Sequence, residues 1–389
     1  MSKIVHLCLA CFFPDGYSYQ ENLLPKFHKK MGYEVEVIAS PLTFGSRGEQ
    51  AYTEAPIDYI NEHGIRVVRL PYKKDSQICH KLALFSGVYE AIERARPDIL
   101  FIHGCQFMSI KDVVDYLKAN PNVQVFVDNH ADYSNSARTF ISKYFLHRII
   151  WKRCAQLIEP YCSRFWGVLP ARVDFLIENY GLPESKCKLL VMGGDDEELE
   201  RVSNAEYISS IRSKLQCSAK DQLIVTGGKI DSSKMEVFEL MDAVGKLRDE
   251  GWDTLRLLVF GPIASDLKRK FDDLRQSTGC DYIPWVNAAE SYDLFSAADL
   301  VVFPGRHSVY WEQVASLGKP MMVKRWAGTD HIDLNGNALL MDKVDSDSLK
   351  NCIQYALQSD NYDKMVKAAH SASAHFKYSE IAARSIATG

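Results

Sequence analysis

Short apolar runs alternate with stretches of helical spacing along the whole 389-residue chain, and near residue 222 the alternation starts over. Alternation of this kind leaves few solutions, because the strands must line up in parallel, joined by right-handed crossovers through the helices. The restart implies two such sheets in tandem. In the first series the spacing predicts strands at 4–12, 33–39, 65–69, 99–103, 123–129 and 189–192, helices at 20–31 and 80–94, and a mainly helical stretch over 138–177 with breaks near Pro160 and Pro170. The second series reads as strands at 222–226, 255–260, 282–285, 300–303, 321–323 and 338–340. Its helices fall at 235–249, 265–276, 291–297 and 346–358, with further helix up to residue 387. Gly193, Gly194, Asp195, Asp196 and the acids after them read as a hinge or linker. Ligands of such folds bind beyond the carboxyl ends of the strands, so two units facing each other would place a cleft there.

Charge and cysteine usage exclude several classes. A formal net charge of -4 gives no reason to expect nucleic acid as a partner. The ten cysteines are scattered, mostly in apolar runs, and Cys8-x-x-Cys11 has no second pair at zinc-site spacing, so it reads as core strand and strand end. A reducing, cytoplasmic chain is expected. Residues 4–13 could pass for the apolar part of a signal peptide, but only Lys3 precedes them and no small-residue cleavage site follows, which favours a first strand. No run is long enough to span a membrane.

Two stretches point to chemistry. In 300–323, LVVFPGRHSVYWEQVASLGKPMMV, an apolar strand breaks at Pro304-Gly305 and enters a short helix capped by Ser308, which ends at Gly318 with Pro320 beyond. Such a loop aims unpaired N–H groups and a positive dipole at the cleft, where phosphate is the usual guest. Glu312, one turn inside, either accepts hydrogen bonds from a ribose or is merely favoured near the dipole. In 224–234, IVTGGKIDSSK, a strand runs into Gly227-Gly228, and Lys229 and Lys234 flank a helix start with Ser233 and Glu236 at capping-box spacing. Two lysines there could neutralise a diphosphate without a metal; otherwise they are solvated cations beside a glycine turn. The spacing is not that of a Walker loop. His130 follows a strand end on the cleft side, as a ligand contact or a capped loop histidine, and His103 ends the strand before it with less weight. Asp195-Asp196 has poor spacing for a metal. No Ser-His-Asp arrangement and no metal-ligand cluster emerges, so no metal is required.

These residues resemble the retaining GT-B glycosyltransferases of family 4, over nearly the whole chain. Gly228, Lys229 and Lys234 match the family's glycine followed by two basic residues; residues 257–261 match a strand ending in a glycine, Gly261; residues 282–287, with Trp285 and Val286, match a nucleotide-base loop. Glu312 to Pro320 matches the second half of the family's paired-glutamate motif. In the first half, residues 13–16 match the first glycine loop, with Gly16; 31–35 match the entry to the second strand; 180–183 with 193–195 match a Gly-x-Pro and Asn-Gly-Val-Asp pair. Residues 376–386 resemble the last helix, which crosses back onto the first domain. Two departures stand out. The first glutamate of the pair is missing, with Pro304 eight residues before Glu312 and Arg306, His307 and Ser308 in the loop; and the first Gly-Gly is reduced to Gly16-Tyr17.

The resemblance implies an α/β GT-B fold of two Rossmann-like domains facing across a cleft. Residues 1–190, completed by 372–389, would bind the acceptor, and 191–371 the nucleotide sugar. It also implies a nucleotide-diphosphate sugar as donor, with the diphosphate on Lys229, Lys234 and the backbone at His307, Ser308 and Val309, and His130 against the donor sugar. The acceptor would be a glycan or lipid-linked sugar, in surface polysaccharide or glycolipid synthesis. A GT-B sugar-nucleotide epimerase and an inactive nucleotide-sugar-binding protein remain alternatives. Finally, 138–172 carries Arg138, Lys143, Arg148, Lys152, Arg153, Arg164 and Arg172 against the single acid Glu159, interleaved with Phe140, Tyr144, Phe145, Trp151, Phe165 and Trp166. Such a segment either lies on an anionic bilayer or buries its aromatics and solvates its charges.

Overall fold

The computed structural model of the chain describes residues 2–44, 49–137, 139–140 and 142–387. The first series yields β1 (Lys3–Cys8), β2 (Glu34–Ala39), β3 (Leu42–Phe44), β4 (Gln50–Tyr52), β5 (Ile57–Ile60), β6 (Arg66–Arg69), β7 (Ile99–His103), β8 (Gln124–Asn129), β9 (Arg164–Gly167) and β10 (Cys187–Leu189). Eight of them form one sheet in the order β10-β9-β8-β7-β1-β2-β6-β5, parallel except for β5, while β3 and β4 make a separate antiparallel pair. The second series yields β11 (Gln222–Gly227), β12 (Leu255–Phe260), β13 (Asp281–Ile283), β14 (Leu300–Phe303), β15 (Met321–Lys324) and β16 (Ala338–Met341). They form an all-parallel sheet in the order β13-β12-β11-β14-β15-β16. Strands such as β7 and β14 are buried at every position, which is why their sequences are apolar throughout rather than alternating.

The fold is therefore α/β with two Rossmann-like units of GT-B type. One compact unit comprises Met1–Val191 with Ile381–Gly389, the other Met192–Glu380. The return of the last helix, Tyr378–Ser385, to the first unit is fixed in part by the Trp166 indole, which donates to the Ser385 carbonyl at 2.8 Å. Each sheet has a point where strand order reverses, between β1 and β7 in the first and between β11 and β14 in the second. Ligands of doubly wound sheets bind at that point.

Several sequence expectations need correction. Residues 80–94 are not one helix but parts of two, Gln77–Lys81 and Val88–Ala95, because Ala83 (φ 49°) and Gly87 (φ 76°) turn the chain between them. The mainly helical stretch contains a strand, β9, too short to show a period; its slot between β8 and β10 buries Phe165 and Trp166. β1 ends at Cys8, four residues early, and β3, β4 and β5 went unread. The acidic run after Gly194 is helical: Asp195 caps Asp196–Arg201 by accepting the Glu197 N–H, which puts acids in the first turn where the dipole favours them. The capping box at Ser233 does not form. The Ser233 hydroxyl donates to Asp231 at 2.6 Å, and the helix runs Glu236–Asp249. All ten cysteines are free. Among the described residues no helix is long and apolar enough to cross a membrane.

Candidate functional site

The carboxyl ends of β11, β12 and β14 meet at the reversal point of the second sheet. The first two are packed so closely that only glycine fits. A Cβ at Gly227 would lie 2.1 Å from the Phe260 ring, and one at Gly261 would lie 2.4 Å from the Gly228 carbonyl. Gly228 and Gly261 both adopt φ +115°, a backbone that side chains avoid. Close packing of two strand ends thus accounts for both glycines, and it leaves the Gly228 turn open to a neighbour.

That neighbour is Lys234. Its ammonium sits 3.3 Å from where a Cβ at Gly228 would be, and its stem lies along Gly305 of the loop after β14. Burial pushes its pKa down, with Asp231 opposing. Among the described residues no hydrogen bond or ion pair reaches this half-buried cation. Lys229 differs: its side chain is 69 % exposed and lies 3.9 Å from the Asp231 carboxylate.

The loop after β14 carries a second constellation. Glu312, in the helix Tyr310–Ser316, is fully buried. Its Oε1 accepts from His307 Nε2 at 2.7 Å and from His331 Nε2 at 2.9 Å. Burial alone would raise the Glu312 pKa, but these two histidines outweigh it and hold the group at about 2. Among the described residues its other oxygen, Oε2, has no hydrogen-bond partner, nor has the Nδ1 of His331. The expectation that no cluster of potential metal ligands exists is corrected here: the ligand atoms of His307, Glu312 and His331 all lie within 4.8 Å of one another. The two short contacts to a single oxygen are those of two N–H donors on one acceptor. Ser308 takes the Tyr310 N–H on its hydroxyl at 3.3 Å, and the helix starts one residue later than its place as cap implied, with Val309 at the cap position. Val309 is exposed. On the far side of β12, Trp285 follows β13 with 70 % of its surface free, and Val286 beside it is half-buried.

The remaining candidates belong to the first unit. Gly16 occupies a left-handed turn after β1, and its N–H is already donated to Glu62 at 2.7 Å. The loop before it is pinned by buried Arg69, which donates to the carbonyls of Phe13 (2.7 Å) and Ser40 (2.9 Å). His130 follows β8, partly exposed, with Nε2 3.5 Å from Asp128 Oδ2 and 3.9 Å from Glu21 Oε1. Asp128 is fully buried and is held well below the usual carboxylate range, because the charges of His103 and His130 outweigh its burial. His103 is a core histidine, bonded to Asp128 at 2.8 Å. Sequence reasoning missed His331 and Asp128. Asp128 is the penultimate residue of β8 and His331 sits in the 3-10 turn Asp330–Ile332. Each becomes recognisable only through its partner: Glu312, 19 positions before His331, and His103, 25 before Asp128.

The pattern of Glycosyltransferase Family 4 matches residues 21–198. No curated protein sequence gives a match. Among solved structures, a glycosyltransferase from Rickettsia africae is similar with a TM-score of 0.67 at 14 % identity, covering 98 % of this chain and 96 % of that one. HepE from Anabaena, solved with UDP-glucose, has a TM-score of 0.65 at 16 % identity over 99 % and 98 %. UDP-GlcNAc 2-epimerase from Neisseria meningitidis, bound to UDP-GlcNAc, has 0.64 at 12 % over 99 % of each. At these identities the structures establish the fold. With the family pattern, they bear out the resemblance to GT-B glycosyltransferases read from the motifs.

Proposed function

We propose that this chain is a glycosyltransferase of GT-B type that moves a sugar from a nucleotide-diphosphate sugar to a glycan or lipid-linked acceptor with retention of configuration, in surface polysaccharide or glycolipid synthesis. Lys234 carries the reading: a partly desolvated cation that, among the described residues, makes no ion pair and feels only the more distant charge of Asp231, at the strand ends where a doubly wound sheet receives its ligand. Leaving such a charge unpaired is unfavourable, and a diphosphate would neutralise it. As the anomeric bond breaks, negative charge grows on the leaving diphosphate, and Lys234 and Lys229 meet it already in place. Glu312, ionised and with one oxygen unused, suits the hydroxyl groups of a ribose. The exposed Trp285 offers a face to the base. His130 would contact the donor sugar, as the resemblance implies. With lysines supplying the positive charge, transfer is expected to persist in EDTA.

A thermal-shift screen of UDP-, GDP- and ADP-sugars tests the donor site, since a ligand at about 100 times its Kd stabilises the fold by roughly 2.7 kcal/mol. If no nucleotide sugar raises Tm, the site is misplaced. The donor that binds is then incubated alone and with acceptor pools. Epimerised donor in the absence of acceptor would make the chain an epimerase, and tight binding without turnover would make it a binding protein.

We also propose that the first unit attaches to an anionic membrane. The π-helix Ser142–Trp151, with residues four to five apart stacked over one another, leaves Phe145 54 % and Ile149 59 % exposed, and Phe140 just before it 70 % exposed. Lys143 packs over the rings of Tyr133 and Tyr144, and exposed Arg148 lies over Tyr144. The other interleaved aromatics, Trp151, Phe165 and Trp166, are buried, and Arg172 is paired with Asp132 at 3.1 Å. Arg138 lies outside the described residues. Exposed rings beside cations suit a headgroup layer, each basic side chain contributing on the order of 1 kcal/mol. Co-sedimentation with anionic vesicles at low salt is expected, weakened by high salt and lost in the double variant Phe145→Glu, Ile149→Glu. Absence of binding to anionic vesicles at low salt would make this an enzyme acting without a membrane.

A further inference from the structure

Beneath His130 the first unit buries a row of titratable side chains: Asp128 on β8, His103 on β7, His6 on β1 and His28 on the helix Gln20–Lys30, none with any exposed surface. They form one hydrogen-bonded chain. Asp128 Oδ2 meets His103 Nδ1 at 2.8 Å; His103 Nε2 meets His6 Nδ1 at 3.0 Å; His6 Nε2 meets His28 Nδ1 at 3.0 Å; and His28 Nε2 meets the Ala382 carbonyl of the last helix at 3.0 Å.

Both ends of this chain only accept. The Ala382 carbonyl requires a proton on His28 Nε2, and a carboxylate requires one on His103 Nδ1. The Ser385 hydroxyl, 3.1 Å from His28 Nε2, has the same carbonyl as acceptor at 2.8 Å, and an unprotonated Nε2 would set its lone pair against that carbonyl at 3.0 Å, so the nitrogen is assigned as donor. Four contacts therefore need four ring protons, and three neutral imidazoles supply three. Gln20 Nε2 (3.0 Å) and Gly104 N (3.1 Å) also donate to Asp128, so the fourth proton belongs on a ring rather than on the carboxyl.

We infer that His28, His6 and His103 hold one proton more than three neutral rings, stored on His103 against ionised Asp128, and that they act through Asp128 as positioning residues for His130. The proposal rests on the reading of His130 as a site residue. Asp128 Oδ2 lies 3.5 Å from His130 Nε2, a buried nitrogen that makes no hydrogen bond among the described residues. It is therefore the carboxylate's charge rather than a bond that favours the proton on Nε2 and leaves Nδ1 to accept a hydroxyl proton. The groups that face this chain include Cys8 on β1, Cys11 after it, Cys105 after β7, Glu21 on the first helix, and His130 itself. In agreement with the proton count, burial disfavours charge on His103 but Asp128 outweighs it and lifts the ring to about 9, whereas burial pushes His6 well down and His28 to about 4.

Long-range proton–nitrogen NMR of the full chain labelled with 15N-histidine tests the count without any assay of activity. At pH 7.5, His103 is expected as imidazolium, with His6, His28 and His130 in the Nε2–H form. A neutral His103, or an Nδ1–H on His6 or His28, would overturn the inference. The positioning role is read separately. His103→Gln should lower kcat for sugar transfer on the order of tenfold and shift the pH profile, with KM for the donor unchanged. Wild-type kcat and pH profile in that variant would reduce the chain to a structural one. Full activity in His130→Ala would instead remove the site reading while leaving the proton count standing.

Discussion

Replacing Lys234 with methionine is expected to lower kcat/KM for sugar transfer by about 30- to 1,000-fold, the ~2–4 kcal/mol lost when one preorganised donor is removed from a developing anion. Methionine keeps the stem against Gly305 and removes only the charge. Because burial lowers the Lys234 pKa and no acid pairs with it among the described residues, its removal should leave Tm unchanged or raise it. That opposite movement of activity and stability is the distinguishing result. A structural lysine would lose Tm with activity, and a solvated one would lose neither. Lys229→Ala should cost less, since that side chain is mostly exposed and already near Asp231.

The contrast between the two lysines shows where sequence reasoning stops. The spacing of Gly228, Lys229 and Lys234 placed all three at one strand end, but only packing shows which cation is stripped of water. The strand ends themselves were legible because parallel strands buried on both faces are continuous apolar runs, and β7, β14 and the helix from 236 to 249 needed little correction. What could not be read was short or tertiary. β9 has four residues and no period, and β5 is an antiparallel edge strand exposed at most of its positions. The expected capping box at Ser233 lost to a nearer acceptor, Asp231, two residues upstream. Gly16 fitted the pattern of a ligand loop, yet its N–H is taken by Glu62, 46 residues away. The paired histidines on Glu312 come from the loop before its helix and from the 3-10 turn Asp330–Ile332. Sequence could therefore place this carboxylate as a ribose contact or a residue favoured near the dipole, but could not show it held ionised in the core.

Glu312 therefore makes the second large prediction. Its pKa of about 2, against an ordinary 4.5, corresponds to about 3 kcal/mol of stability at neutral pH, an order-of-magnitude figure for a fully buried group. A depressed carboxyl pKa stabilises fully above the unfolded value, and this contribution is lost as pH falls from about 4.5 toward 2. Glu312→Gln keeps the shape and one acceptor for His307 and His331 but has no such contribution to lose, so its stability should fall less steeply over that pH window. Glu312→Ala leaves two buried N–H groups without their acceptor, at roughly 1–3 kcal/mol each, and should lose Tm outright. Function separates from stability in the glutamine variant: losing charged hydrogen bonds to a ribose should raise KM for the nucleotide sugar about 10- to 100-fold, from 1.5–3 kcal/mol, with kcat less affected. Denaturation curves between pH 2 and 7 and donor KM at pH 7 supply both readings. An unchanged acid limb in Glu312→Gln would mean that the histidines do not hold the carboxylate ionised. An unchanged KM would mean that its free oxygen serves some group other than the donor.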